Sequence, residues 1–255
     1  MLLLTPIAVG AAVLALLATQ LGGQRFAGAA IRAAESSPRL LVEGWEVTRV
    51  DEWSGGEGEM TFARDGRTLE LRWPAPPKKD LERVQGDIYR YPGTNDFTAY
   101  VHGVIVRGVA PDSQAFAEAL EGLHRVDAEE WLGALPESAV APRAQTATVQ
   151  EMLRGIPVPP GFVAPEATGE TRDRYQFGAK VAGAVACAWI ERGGDEAREA
   201  LATARRWPIL NEMNAEGDYP EVLWQYADAF VTGGDVAAGK PGVTVQDSYR
   251  DALGC

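Results

Sequence analysis

The sequence predicts an α+β protein: an antiparallel sheet covered by helices, followed by an α-helical C-terminal layer, with one N-terminal transmembrane helix. Three observations carry that reading. The chain opens on an uncharged apolar run, residues 38–109 alternate strand patterns with short turns, and past Pro142 the strand signals give way to helical spacing.

Residues 2–21, LLLTPIAVGAAVLALLATQL, are diluted only by Thr5, Pro6, Thr19 and Gln20. A helix of roughly 20 apolar residues crosses about 30 Å of hydrocarbon, so residues 1–24 read as a membrane anchor. A cleaved signal peptide is the rival reading, with Ala27-Gly28-Ala29 as the small-residue site. The run is longer than a usual signal core, and Arg25 separates it from that site. Arg25, Arg32 and Arg39 follow the run, and the positive-inside rule alone would place the bulk of the chain in the cytoplasm. An upstream segment lost from the start would remove the evidence that rule needs. Orientation is therefore argued from the folded part. Residues 25–37 form a linker.

Strands begin with LLVEGWEVTRV at 40–50, rich in β-branched and aromatic residues, before a turn-rich acidic stretch, DEWSGGEGE. Asp65-Gly66 is a favoured two-residue hairpin turn. Counting outward pairs Phe62 with Leu69, Met60 with Leu71, Thr61 with Glu70 and Glu59 with Arg72. Apolar residues then share one face and polar residues the other, which fixes the register. After the polar loop PAPPKKD come DIYRY (87–91), FTAYV (97–101), a tight turn at His102-Gly103, and VIVRGV (104–109). Pro111-Asp112 starts a helix with Phe116, Ala119, Leu120 and Leu123 on one face. Asp127 and Glu130 start another that carries Trp131, Leu132 and Leu135. Residues 38–136 thus read as one antiparallel α+β unit.

Residues 143–255 read as the helical layer packed on that unit. Helices are expected over 147–156, from Thr171 to Glu191, over 196–207 and over 219–231, with an irregular proline-stiffened connector at 157–170. In the long helix Tyr175, Ala179, Gly183 and Cys187 form one stripe, small enough for another element to approach closely.

The 255 residues carry 24 Lys and Arg against 36 Asp and Glu, a net charge of −12. Such a field repels phosphate backbones, and no basic cluster offsets it, so nucleic acid is excluded as a partner. Two cysteines occur, Cys187 within GAVACAWI and Cys255 as the last residue. They read either as one disulfide, which would pin the C-terminus, or as two unrelated thiols. The bridge is the preferred reading, and with it an oxidising, extracytoplasmic location.

Reaction chemistry finds few parts. The GxxxxGK match at Gly234–Lys240 has Pro241 where a Mg²⁺-binding hydroxyl belongs and follows a helix where a strand is required, so it reads as a connector. Two histidines, His102 and His124, form no metal-ligand spacing, and no GxSxG elbow is present. No cofactor is expected. Asp51/Glu52, Glu57/Glu59 and Glu129/Glu130 read as solvated loop or cap carboxylates, and the acidic loop at 51–59 lacks the spacing of a calcium site. Most of the seven tryptophans are assigned to the core. Trp53, in the Gly-rich acidic loop beside Ser54, is the candidate contact residue.

FTAYVHGVIVRGVAPDSQAFAEALEGLHRV (97–126), two strands then a helix, resembles the closing element of the extracytoplasmic domains of anti-sigma factors and of lipoprotein-sorting folds. The hairpin GEMTFARDGRTLELRW suits the same sheet. With GAVACAWI and SYRDALGC, the chain is similar to single-pass membrane proteins of high-GC bacteria. The resemblance implies a sensing or binding domain outside the membrane and transfers no catalytic residue. Anti-sigma factors carry a sigma-binding segment ahead of the membrane helix, and this sequence opens on the apolar run, so sigma inhibition is not implied. The expected function is a non-catalytic, membrane-anchored extracytoplasmic binding or sensing protein whose partner is a protein or small molecule. The alternatives are a cell-envelope hydrolase using paired carboxylates and a carrier of a lipophilic ligand.

Overall fold

The computed structural model describes residues 38–53, 56–74, 80–236 and 242–255. The apolar run, the linker, Ser54, most of the PAPPKKD loop and the GKP part of the GxxxxGK match lie outside the described residues. The protein is α+β, with a large antiparallel sheet and helices.

The expected first strand is two. Gly44, with φ at 71°, breaks it into β1 (Leu40–Val42) and β2 (Glu46–Trp53). β2 starts a seven-stranded sheet with β3 (Glu57–Arg64), β4 (Arg67–Trp73), β5 (Glu82–Gln85), β6 (Ile88–Arg90), β7 (Asp96–Val101) and β8 (Val104–Val109), in the order β2-β3-β4-β8-β7-β6-β5. The β3–β4 hairpin has the register counted from its turn: Phe62 faces Leu69, Met60 faces Leu71, Thr61 faces Glu70 and Glu59 faces Arg72. Asp65 and Gly66 both take positive φ, the pair a type I′ turn requires. His102 and Gly103 repeat the device between β7 and β8.

One face of the sheet is covered by α1 (Ser113–Glu121) and α2 (Ala128–Gly133), whose N-caps Asp112 and Asp127 accept from the amides of Ala115 and Glu130. Phe116 of α1 stacks on Phe97 with centroids 5.7 Å apart, and the Trp131 indole of α2 donates to the Met60 sulfur at 3.3 Å. Phe62, Leu71, Phe116 and Trp131 are fully buried here, each contributing about 1.5–3 kcal/mol. Leu123, expected on the helix, instead lies in β9 (Leu123–Arg125), which pairs with β1.

The C-terminal half has a second core. It is built from α3 (Gln145–Met152), α4 (Arg174–Arg192), α5 (Gly194–Leu201), α6 (Pro208–Met213), α7 (Tyr219–Thr232) and α8 (Val245–Leu253). The helix expected over 196–207 is broken: α5 ends at Leu201, a 3₁₀ turn spans Ala204–Arg206, and Trp207 is extended because Pro208 follows it. The small-residue stripe of α4 faces the start of α7 and the end of α8. A Cβ on Gly183 would lie 2.3 Å from the Leu253 carbonyl oxygen and 2.5 Å from the Tyr219 hydroxyl, so only glycine admits that approach. The Tyr219 hydroxyl in turn donates to the Leu253 carbonyl. Among the described residues no helix is long and apolar enough to cross a membrane.

Candidate functional site

Two places combine charge, burial and shape: a polar seam between the two cores, and an open groove beside the cysteine pair.

Asp51, Glu52 and Glu59 are not solvated loop carboxylates; β2 runs on through Asp51 and Glu52 to Trp53, and all three acids are buried. Asp51 and Glu52 are covered because residues 171–173 cross the end of β2, where β11 (Arg172–Asp173) pairs with β10 (Ala139–Val140). Glu52 makes two contacts with one residue: its amide donates to the Thr171 carbonyl at 2.9 Å, and its carboxylate accepts from the Thr171 amide at 2.7 Å. Asp51, 1 % exposed, accepts from the Arg172 guanidinium at 2.8 Å and from the Asp173 amide at 3.0 Å. Asp173 caps α4 by accepting from the Gln176 amide. Arg49 and Arg72 stand 3.4 and 3.2 Å from the two oxygens of Glu59. The approach of 171 is itself fixed by the buried Gln145, which accepts from the Thr168 amide and donates to the Glu170 carbonyl.

Burial pushes the Glu52 carboxyl up to about 7, against the pull of the Thr171 amide, with Glu170 and Asp51 adding to the rise. Burial also raises Asp173 above the usual carboxylate range. A polar recess of about 250 Å³ opens over Arg49 and Asp173 and stops short of Asp51 and Glu52. The seam therefore holds the halves together, and its carboxylate oxygens are committed to backbone amides and arginines. Glu129 and Glu130 are exposed in the first turn of α2, as expected, whereas Glu57 is exposed but opens strand β3 and is not in a loop. Among the described residues no group of His, Cys, Asp and Glu is arranged to hold a metal ion.

Trp53 is at the end of β2, opposite Glu57, half-buried and not in a loop. Ser54 lies outside the described residues. The two cysteines come together: Cys187 on α4 and Cys255 after α8 are at disulfide distance, with Cα atoms 6.2 Å apart and a separation of 68 positions in sequence.

Beside that pair is a groove of about 720 Å³. One wall is the outer face of α4, where Lys180, Ala184, Ala188 and Glu191 recur at helical spacing. The other is the connector, with Pro159, Phe162 and Val163. Val163 is 80 % exposed, the highest exposure of any large apolar side chain among the described residues. Arg192, Arg250 and Cys255 also line it. The connector's composition is the sequence signal for this groove: three prolines, a phenylalanine and two valines within 157–163, with no helix of their own to bury them.

Comparison of the chain with protein-family models, curated proteins and solved structures gave no match in any of the three.

Proposed function

We propose that this protein is a membrane-anchored, extracytoplasmic binding or sensing module without catalytic activity, tethered by the apolar run at residues 2–21. The observation that carries the proposal is the cysteine pair. Cys187 and Cys255 are the chain's two cysteines, far apart in sequence and adjacent in space, the arrangement favoured where thiols are oxidised. The groove beside them supports binding, since it is open, part apolar and part charged. The net charge of −12 supports a partner other than nucleic acid. The resemblance to anti-sigma outer domains agrees with a sensing role.

A second reading has one observation in its favour. Glu52, poised near neutral pH beside Asp51, has the titration a carboxylate-based cell-envelope hydrolase would use. Against it, both side chains are spent on the 171–173 segment and neither lines the recess. The lipophilic carrier has less support, because Phe116 and Trp131 fill the face of the sheet that a ligand would need.

Protease treatment of right-side-out and inverted membrane vesicles tests the placement. Digestion of the domain only in right-side-out vesicles is expected; digestion only in inverted vesicles would overturn it.

A further inference from the structure

We propose that Glu52 is a proton-operated latch between the two halves of the protein: neutral, it keeps residues 171–173 seated across the end of β2, and ionised, it lets that segment lift away. The latch gives the sensing role a signal, the proton, and rests on the reading of the protein as a sensing module in that respect alone.

The halves are joined in a way that lets them part here. Their buried apolar residues form two separate clusters, one running from Leu40 to Trp131 and the other from Val140 to Leu253. What ties them across the end of β2 is polar. Thr171 and Asp173 donate their amides to the carboxylates of Glu52 and Asp51, and the Arg172 guanidinium donates to Asp51. Arg49 stands 4.0 Å from Asp173, and the Glu52 amide donates to the Thr171 carbonyl. Lifting the segment therefore exposes little apolar surface, and its cost is set by these polar groups. The recess over Arg49 and Asp173 already reaches one side of the contact.

Charge singles out Glu52. Four acids are buried at the seam, and three have a guanidinium within 4.0 Å: Asp51 has Arg172, Glu59 has Arg49 and Arg72, and Asp173 has Arg49. Glu52 has none among the described residues. The groups around it are acidic or neutral. Asp51 comes from its own strand, Glu170 and Thr171 come from the crossing segment, and its partner on β3 is Gly58, over which Trp73 of β4 packs. Arg172 is turned to Asp51, and Asp173 to the N-cap of α4. A buried carboxylate without a counter-ion is held neutral by the cost of taking its charge out of water. The rise to about 7 has that burial as its main cause. Once ionised, Glu52 recovers its hydration only when residues 171–173 leave.

The direction of the response follows. The closed seam holds a proton that the open, hydrated carboxylate, with its ordinary value of 4.5, gives up. Opening is therefore favoured as pH rises above 4.5, and the effect levels off above about 7. Between pH 5 and 8 the opening constant rises by about 70-fold.

The test is native-state hydrogen exchange of the purified full-length protein in detergent at pH 5, 6, 7 and 8. The Thr171 and Asp173 amides are compared with the Val185 amide inside α4, each rate being divided by that of an unstructured chain at the same pH. The seam amides are expected to be less protected than Val185, to lose about 70-fold of their protection between pH 5 and 8, and to be insensitive to urea below about 1 M, the mark of a local opening. Glu52→Gln should hold their protection constant over the same range. The wild-type series needs no variant and decides the matter even where Glu52→Gln fails to fold. Seam amides that match Val185 in protection and in urea response overturn the proposal, because the segment then leaves only when the whole protein unfolds. So does protection that stays flat from pH 5 to 8. A Glu52→Gln protein that loses protection as the wild type does also overturns it, by assigning the titration to another group. Exchange in purified protein is blind to membrane placement, so this result and the vesicle digestion can each fail without the other.

Discussion

Replacing Glu52 by glutamine isolates the charge at the centre of the seam. The carboxyl is 3 % exposed and its pKa in the fold is about 7, against an ordinary value of 4.5. The folded protein holds this proton more tightly than the unfolded chain does. Between pH 4.5 and 7 folding therefore takes up a proton, and stability falls as pH rises through that window. The difference of about 2.5 pKa units corresponds to about 3 kcal/mol at pH 8, lost progressively above pH 4.5. Glutamine keeps the oxygen that accepts from the Thr171 amide and removes the ionisation. At pH 8 the E52Q protein is expected to be more stable by about 2–3 kcal/mol, and at pH 5 the two proteins should differ by less than about 1 kcal/mol. The assay is urea unfolding followed by tryptophan fluorescence at pH 5, 6, 7 and 8. Seven tryptophans, including Trp131 in one core and Trp207 in the other, report both halves. A wild-type protein equally stable from pH 5 to 8, with E52Q weaker throughout, would refute the reasoning. It would mean that Glu52 is a stabilising anion whose hydrogen bond outweighs its desolvation.

Three further perturbations read other parts of the structure. Asp51→Ala removes the partner of Arg172 in the buried seam and should cost about 3–5 kcal/mol in urea unfolding; a cost under about 1 kcal/mol would mean that the seam does not hold the halves. Gly183→Ala puts a methyl against the Leu253 carbonyl, so α8 must shift. We expect a loss of about 1–3 kcal/mol and faster amide exchange in Val245–Leu253, and unchanged exchange there would contradict the close approach. Cys255→Ser opens a loop closed over 68 residues, and the chain-entropy relation gives a loss of about 4 kcal/mol, read as a lower urea midpoint under oxidising conditions and no change under reducing ones.

Where local chemistry decides the structure, the sequence is a sufficient guide. The Asp65-Gly66 turn admits one register, and every pair counted from it is found. Asp112 and Asp127 start helices because their side chains accept amides that nothing else would satisfy. Reading fails where tertiary context overrides composition. Asp51 and Glu52 look like loop residues because nothing local says that residues 171–173 will cover them. β5 (Glu82–Gln85) was missed because an edge strand with polar, exposed residues carries no hydrophobic alternation. α8 was missed despite its signal, Thr244 and Asp247 as a capping box with Val245, Tyr249 and Leu253 on the buried face. The groove was least legible, since it exists only between a helix face and a connector that approach each other in three dimensions.

Thiol labelling of Cys187 and Cys255 in protein taken from native membranes, with and without prior reduction, bears most directly on the account. No labelling before reduction and two labels after it is the expected result, and it would put the domain in an oxidising compartment. Two thiols that label without reduction would contradict the extracytoplasmic placement and return weight to Arg25, Arg32 and Arg39 as cytoplasmic residues.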